Sequence, residues 1–312
     1  ATAGSCFAQH IARHLKAQGY NYLVTEGAHP VLEDKVAESF GYGVFTARFG
    51  NIYTVRQLLQ LAQRAYGDFA PTEDAWEEEN GVIDPFRPNN QPVPFASMLE
   101  HDKAREVHFA AVREMLETAD VFVFTLGLTE AWISKADGAV FPLAPGVAGG
   151  AFDPERHGFH NFTVDEIVQD FGAFVSLMRA RNPDVRVLLT VSPVPLIATA
   201  REDQSVITAT AYSKSVLRVA AEELTRRIER CHYFPSYEVI TGAHARGAYF
   251  GADLRDVERA GVDHVMRLFM RHYTDGTVTS VPDVGGEDRF TDQVEKALDV
   301  ICDEEMIEKA AR

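Results

Sequence analysis

The chain of 312 residues has little of what defines several common protein classes. Its three cysteines are too few and too scattered for a disulfide framework, which favours a reducing compartment. Its apolar runs are far shorter than the roughly 18–20 residues that span a membrane. Lys and Arg number 30 against 46 Asp and Glu, and phosphate binding depends on clustered basic residues. We therefore expect a cytoplasmic protein without a membrane span or a nucleic-acid partner.

Motifs for nucleotide binding and secretion are also missing. The sequence contains no Walker pattern and no Gly-x-Gly-x-x-Gly fingerprint, and no signal peptide is visible. Because the chain begins without Met and almost inside a motif, the N-terminus looks incomplete. We expect an upstream segment, which is where a lost targeting signal would lie.

Helical and strand patterns alternate along the chain, which predicts an α/β fold with a mainly parallel sheet. Residues 120–127 and 185–191 have the apolar sequence of buried central strands, and residues 232–237 are interpreted as a further strand. Thr54 and Thr163 begin capping-box patterns, which predict helix starts. We interpret residues 1–312 as a single domain.

Two stretches interrupt this alternation. Residues around 71–95 and 144–161 are rich in Pro, Gly or Asn and are predicted to be irregular insertions. The second contains His157 and His160, which we place on a loop. Apolar residues at helical spacing predict a C-terminal helix around residues 292–311.

The opening stretch TAGSCFAQHIARHL indicates a strand, a Gly4-Ser5-Cys6 turn and then a helix. A nucleophile in such a turn benefits from the positive end of the helix and from its N–H groups, which can hold an oxyanion. Gly4 permits a tight turn and a close approach of substrate. A Cys6 thiolate can attack without a strong base, whereas Ser5 needs one. The alternative is structural, since Ser is a common N-cap and a lone Cys usually packs as a small apolar residue.

The stretch GSCFAQHIA at residues 4–12 resembles the signature of the GSCFA family, which is similar to the SGNH (GDSL-type) hydrolases. Further blocks occur in the same order: FGNIYT, DPFRP, FTLGLTEAW, HNF, SPVP, SYE and GVDHVM. The resemblance implies a flavodoxin-like three-layer α/β/α sandwich with a mainly parallel sheet. Its site would lie at the carboxyl ends of the strands.

The resemblance also implies roles for single residues. It places Cys6 in the position of the SGNH nucleophile and Ser5 in the position of the preceding Asp; Ser5 is our second choice of nucleophile. It assigns oxyanion or substrate binding to Gly4 in the turn. It gives the same role to Gly50 and Asn51 and to Gly127 and Thr129.

The match to SGNH enzymes fails at the base. Residues 253–256 match the closing Asp-x-x-His block, but Asp256 stands where the histidine is expected. Asp253 matches the acid that would orient that base. We predict His160 as the replacement base, because its loop can return over the carboxyl edge of the sheet. In the alternative, His160 and Asn161 only hydrogen-bond the loop backbone.

Two carboxylates complete the predicted site. Glu130 and Glu238 are each placed near the same edge of the sheet, where they would orient a base or bind a substrate hydroxyl. Asn161 is grouped with them as a substrate-binding residue.

Together these features predict an SGNH-like ester hydrolase or acyltransferase. Its substrate would be an acylated carbohydrate or another small hydroxyl-bearing molecule, and no metal or organic cofactor is expected. A transferase that uses an acyl thioester would share the site but need an elongated cleft. The alternative from another class is a non-catalytic binding protein that retains the hydrolase fold, which Asp256 and Thr129 favour. Nothing in the sequence indicates an oligomeric state.

Overall fold

The chain alternates between strands and helices in a computed structural model that describes residues 1–274. In chain order its elements are β1 (Thr2–Gly4), α1 (Ala8–Ala17), α2 (Asp34–Ser39), α3 (Val55–Tyr66), β2 (Trp76–Glu78), β3 (Gly81–Ile83), α4 (Met98–Thr118), β4 (Val121–Leu126), β5 (Glu130–Ser134), β6 (Val140–Phe141), β7 (His157–Asn161), α5 (Val164–Arg179), β8 (Arg186–Val191), α6 (Val206–Arg227), β9 (Cys231–Tyr233), α7 (Ser236–Thr241) and α8 (Arg259–Tyr273).

The central sheet contains β1, β4, β8 and β9 in that order, and all its pairings are parallel. Its inner strands have the sequences VFVFTL and RVLLTV. Aromatic and β-branched residues of this kind suit a sheet that is covered on both faces. The predicted α/β class and the two predicted central strands are confirmed.

Side chains of the central strands alternate between two helical layers. Phe122 and Phe124 belong to the core formed with α3, α4, α5 and α6. Val123 and Leu188 point to the opposite face and pack against α1, α7 and α8. Helices therefore cover both faces of the sheet, an arrangement compatible with a three-layer sandwich.

The two predicted helix starts are confirmed by their caps. The Thr54 hydroxyl accepts a hydrogen bond from the N–H of Gln57 at 3.3 Å. Thr163 and Glu166 form a complete capping box at the start of α5. At its other end α3 stops at Gly67, whose φ of 81° lies in the left-handed region that favours glycine.

The prediction of a loop around His157 and His160 is wrong. Residues 157–161 form β7, which pairs with β5 over five residues in a small antiparallel sheet with β6. The sequence HGFHN has weak strand propensity, and main-chain pairing with the more apolar β5 decides its conformation.

Two other boundaries also differ from prediction. The first irregular insertion contains the β2–β3 hairpin. The predicted strand at residues 232–237 ends at Tyr233, and α7 begins at Ser236, directly after a proline that has no N–H for a strand ladder. The helix predicted around residues 292–311 lies outside the described residues. Within residues 1–274, no helix combines the length and the apolar character needed to cross a bilayer.

Candidate functional site

The carboxyl ends of β1 and β4 meet the segment 50–54 at the point where the chain changes faces of the sheet. After β1 the chain enters α1; its Ile11 and the N-cap residue Phe7 pack on the Val123 face. After β4 the chain passes through the small sheet to α5, whose Phe171 and Phe174 pack on the opposite face. Open parallel sheets bind ligands at such switch points. We call this place the crevice; it is formed by residues 4–9, 50–54 and 127–129.

The turn between β1 and α1 requires glycine at its first position. Gly4 has a φ of 140°, and a Cβ there would lie 2.5 Å from the carbonyl oxygen of Thr125. In the turn that leads into α1, the N–H of Ala8 donates to the carbonyl of Ser5 at 2.9 Å. The N–H groups of Cys6 and Phe7 precede that bond and belong to the positive end of α1.

Three buried hydroxyls at the crevice have no hydrogen-bond partner within the described chain: those of Ser5, Thr125 and Thr129. Ser5 is 3 % exposed; Cys6 is 4 % exposed and forms no disulfide with another described residue. Buried polar atoms without a partner are uncommon, because each loses its bonds to water without replacement. The Ser5 hydroxyl therefore has an unused hydrogen-bonding capacity, and no histidine is bonded to it.

The segment Gly50–Thr54 forms the second wall of the crevice. The N–H of Ile52 donates to the carbonyl of Gly4 at 2.8 Å, so this segment extends alongside β1. Asn51 accepts a hydrogen bond from Gln9 Nε2 through its Oδ1 at 3.3 Å. Gly50 and Asn51 thus lie beside the Ser5–Cys6 turn as predicted, and Gln9 of α1 is an additional buried member of this wall.

The third wall is the turn of residues 127–129 that follows β4. A Cβ on Gly127 would lie 2.9 Å from the Cβ of Ser5, so only glycine allows this close approach. The N–H of Leu128 donates to the carbonyl of Tyr53 at 2.9 Å. The structure therefore brings Ser5, Gly127 and the Tyr53 backbone into direct contact.

Helix α6 supplies two site residues that the sequence analysis did not identify. Lys214 is 1 % exposed, and its Nζ donates to the carbonyl of Gly127 at 2.7 Å. The hydroxyl of Ser213 accepts from the N–H of Thr129 at 3.1 Å. Their burial could have been predicted from the sequence. Ser213 and Lys214 lie four and three residues before Leu217, on the apolar stripe of the helix.

His160 and Glu130 lie on opposite faces of the small sheet. Glu130 is paired with Asn161, and Ala131 is paired with His160, so the side chains of the two pairs point in opposite directions. The Nε2 of His160 donates to the Glu166 carboxylate at 2.7 Å. Glu130 accepts from the Thr199 hydroxyl at 2.7 Å, and its burial raises the pKa of its carboxyl. In the described residues His160 makes no hydrogen bond to Ser5.

Asp253 and Glu238 are engaged elsewhere. Asp253 is exposed, and its carboxylate accepts hydrogen bonds from the N–H groups of Arg255 and Asp256 at 3.1 Å each. Glu238 on α7 accepts hydrogen bonds from the Arg218 Nε and the Tyr233 hydroxyl, both at 2.8 Å. These contacts stabilise a surface turn and a surface ion pair. They do not connect either carboxylate to the crevice.

A group of buried ionisable side chains lies next to the second wall of the crevice. We call it the buried charge cluster; it contains Glu26, Arg48, Arg64, Asp84, Arg87 and His108. Glu26 accepts hydrogen bonds from the Arg48 N–H at 2.8 Å and from His108 Nδ1 at 2.7 Å. Burial opposes ionisation of Glu26, but the bond from His108 and nearby positive charge lower its pKa to about 2. Burial lowers the pKa of His108 to about 4, so this pair is a carboxylate and a neutral imidazole at neutral pH.

The other half of the cluster is an ion pair between Asp84 and Arg87, 2.8 Å apart. Burial opposes the charge on Asp84, but the Arg87 and Arg64 guanidiniums hold the pKa of that carboxyl well below its usual range. His108 Nε2 has no partner and lines a cavity of about 20 Å³ together with Arg64 and Arg87. This is space for about one water molecule.

Asn90 connects this cluster to the crevice. Its side-chain amide donates to the carbonyl of Arg48, which Arg87 Nη1 also approaches at 3.5 Å. Gly50 has a φ of 69°, and a Cβ there would lie 2.9 Å from Asn90 Oδ1. The cluster therefore fixes the backbone immediately before Gly50–Asn51.

No three His, Cys, Asp or Glu side chains in residues 1–274 are grouped closely enough to hold a metal ion.

Comparison with known families identifies the chain. A search of curated proteins finds no match. The model of the GSCFA family matches residues 1–269, which include every wall of the crevice and the whole buried charge cluster. The chain therefore belongs to the GSCFA family.

Proposed function

We propose that the protein is an ester hydrolase or acyltransferase that works at the Ser5–Cys6 turn. One observation carries this proposal: a buried Ser5 hydroxyl without a partner and an adjacent Cys6 thiol lie at the positive end of α1, inside a switch-point crevice. Helices on both faces of the parallel sheet support a flavodoxin-like sandwich of the SGNH type. We infer a substrate with an ester on a carbohydrate or on another hydroxyl-bearing molecule.

In the proposed reaction Cys6 Sγ attacks the ester carbonyl as the thiolate, having released its proton to a base. The tetrahedral oxyanion would accept hydrogen bonds from N–H groups at residues 5 to 7 and from the Gly50–Asn51 segment. Collapse expels the alcohol, which takes up a proton, and leaves an acyl-thioester on the protein. Water would then attack that thioester in a hydrolase, and a second hydroxyl-bearing molecule would do so in a transferase. Ser5 Oγ is the second choice of nucleophile.

His160 is our proposed base. Its ring already bonds to Glu166 at 2.7 Å, and a carboxylate that orients an imidazole in this way is a common arrangement for a catalytic base. His160 lies two residues from Phe162, whose N–H donates to the carbonyl of Thr129 at the crevice. Its action on Ser5 or Cys6 would require the ring to turn from Glu166 or to act through water. The supporting roles that the sequence suggests for Asp253 and Glu130 have no counterpart in this arrangement, because their carboxylates accept hydrogen bonds from the Arg255 and Asp256 N–H groups and from Thr199.

A second candidate function is binding without catalysis. It is favoured by the near-complete burial of Ser5 and Cys6, by the lack of a histidine on the Ser5 hydroxyl, and by Asp256 in the position of the expected histidine. In this case the crevice would hold a ligand through the same hydroxyl and N–H groups.

Active-site labelling separates these functions. The native chain would be treated with a fluorophosphonate and, separately, with limiting iodoacetamide at neutral pH, and peptide mass spectrometry would locate the adducts. We expect rapid labelling of Cys6 that is lost in Cys6→Ala. Cys231 is an internal control, because burial raises the pKa of its thiol to about 12 and it should not react in the native chain.

Each other outcome has a definite meaning. Fluorophosphonate labelling of Ser5, lost in Ser5→Ala, would make Ser5 the nucleophile and would overturn the role of Cys6. Slow labelling of both residues that requires denaturant would overturn the enzymatic proposal and establish the binding protein.

A further inference from the structure

One face of the small antiparallel sheet is covered over only part of its area. The pairing register puts Glu130 and Trp132 of β5 on the same face as their partners Asn161 and Phe159 of β7. Toward β6 this face is covered by the β2–β3 hairpin, whose Trp76 packs against the β6 side chain. The four residues of β5 and β7 are half-buried, so the end of the face that lies next to the crevice stays accessible.

Three aromatic rings lie together at this accessible end. The ring centroid of Trp132 is 5.2 Å from that of Phe152 and 6.0 Å from that of Phe159, and both contacts are edge-to-face. Phe152 is 47 % exposed. We call these three residues the aromatic platform. Its rings offer less than the roughly 800 Å² that each partner of a stable protein complex buries, so its size suits a small ligand.

Polar groups with unused hydrogen-bonding capacity lie beside the aromatic platform. The Oδ1 atom of Asn161 is buried and has no hydrogen-bond partner within residues 1–274. The paired Glu130 accepts hydrogen bonds from the Thr199 hydroxyl and the Ala200 N–H, and a carboxylate has about four acceptor positions. An amide and a carboxylate next to apolar rings match a ligand that has both hydroxyl groups and an apolar surface.

The accessible face continues directly from the crevice. Thr129 belongs to the crevice, and its carbonyl accepts from the N–H of Phe162 at 2.8 Å, one residue beyond β7. The bond between Glu130 and Thr199 turns this face toward the segment that follows the carboxyl end of β8. Three residues of extended strand, from Thr129 to Trp132, span about 10 Å, which is longer than one pyranose ring.

We propose that the aromatic platform, with Glu130 and Asn161, is a carbohydrate-binding subsite that receives the sugar chain of an ester whose acyl group lies in the crevice. Pyranoses with equatorial substituents present axial C–H groups to an aromatic ring and hydroxyls to the polar groups at its edge. The spacing selects an oligosaccharide of at least two such units. The role as a substrate subsite rests on the proposed function, whereas binding of the sugar does not.

Saturation-transfer nuclear magnetic resonance of the native chain tests this binding. The probes are methyl β-cellobioside and N,N′-diacetylchitobiose, and sorbitol is the control because it has hydroxyls but no ring. We expect transfer to the axial ring protons of both probes and none to sorbitol. Phe152→Ala should weaken binding about tenfold. Tyr273→Ala is the matched control, since this aromatic residue of α8 is 42 % exposed and lies outside the platform.

Three results would overturn the subsite: no transfer to either probe, equal transfer to sorbitol, or equal losses in Phe152→Ala and Tyr273→Ala. If Phe152→Ala does not fold, tryptophan fluorescence decides the question. The chain has two tryptophans, and Trp76 is only 6 % exposed. Trp132→Phe keeps a ring in the platform, so the probes should still bind but no longer change the fluorescence. A change that persists in Trp132→Phe would place the sugar elsewhere and contradict the proposal.

Failure of the subsite and failure of the proposed function are distinguishable. Sugar transfer without labelling of Cys6 or Ser5 in the native chain would overturn the enzymatic proposal and confirm the sugar site. Labelling without sugar transfer would leave the nucleophile in place and overturn the subsite alone.

Discussion

The crevice and the buried charge cluster meet at Gly50–Asn51 but satisfy their polar groups to very different degrees. In the crevice the hydroxyls of Ser5 and Thr129 are buried without a partner, and so is that of Thr125 in the adjoining end of β4. In the cluster Asp84 is paired with Arg87 and Glu26 with His108, and His108 Nε2 is the group left over. Unpaired buried groups reduce stability, and their concentration at one place is the feature on which the proposed function rests. The buried charge cluster, whose groups are paired, instead stabilises the backbone next to Gly50–Asn51.

The largest effect is expected from removing one charged side chain of the buried charge cluster. Arg87→Met leaves Asp84 as a buried carboxylate without its closest counter-charge, and breaking such a pair costs about 3–5 kcal/mol in the free energy of unfolding. Urea unfolding measures the loss. Arg226→Met is the control, since Arg226 forms an exposed pair with Glu222 and should change little. A small and equal effect of both variants would show that the cluster is not a support.

The next test uses pH, because two groups of the cluster bind protons less readily in the folded chain than in the unfolded chain. The pKa of His108 is lowered from 6.5 to about 4, so the unfolded chain binds a proton more readily than the folded chain between these values. The pKa of Glu26 is lowered from 4.5 to about 2, with the same consequence at lower pH. Both contributions to stability are present at neutral pH and are lost as pH falls, first from about 6.5 to 4 and then from about 4.5 to 2.

Urea unfolding at several pH values checks this dependence. His108→Gln should flatten the upper part of the curve, between pH 6.5 and 4, relative to wild type. If the free energy of unfolding changes with pH equally in the two chains, His108 does not contribute to the pH dependence.

The smallest effect is expected at the crevice and has the opposite sign. Ser5→Ala and Thr125→Val remove buried hydroxyls that have no partner, and we expect each to stabilise the fold by about 1 kcal/mol. Ser236→Ala is the matched control, because the Ser236 hydroxyl donates to the Val191 carbonyl at 2.9 Å and its loss should destabilise. The midpoint temperatures of thermal unfolding rank the stabilities of the three variants. Losses in Ser5→Ala as large as those in Ser236→Ala would mean that Ser5 is structural.

Local patterns in the sequence predict much of the fold. The capping boxes at Thr54 and Thr163 and the apolar strands at residues 121–126 and 186–191 depend on neighbouring residues alone, and all four are confirmed. Strand β7 does not depend on neighbouring residues alone, and the sequence did not predict it. Its pairing partner β5 lies about 27 residues earlier and supplies the apolar side chains.

The site was predictable where it belongs to a turn and less so where it depends on tertiary contacts. Gly4, Ser5 and Cys6 are recognisable from the spacing of a strand, a turn and a helix, and Gly50 and Gly127 from the family resemblance. Lys214 lies 87 residues from the carbonyl that it binds, and only its place on an apolar stripe signals its burial. Asp84 and Arg87 were seen as part of a family motif, but their pairing in the core emerges from the packed structure.

The pairing of β1 with β4 has a consequence for the order of folding. Ala1 and Val121, which share a hydrogen bond in this pairing, are separated by 120 residues, whereas Thr190 and Ser236 in the β8–β9 region are separated by 46. Closing the longer loop costs more chain entropy, and contacts between distant residues form slowly. The short β1, with three residues, gains little from pairing before β4 and β8 are in place. We therefore expect the Ser5–Cys6 turn to assemble late, and reactivity at this turn, followed during refolding, to report the completion of the native state.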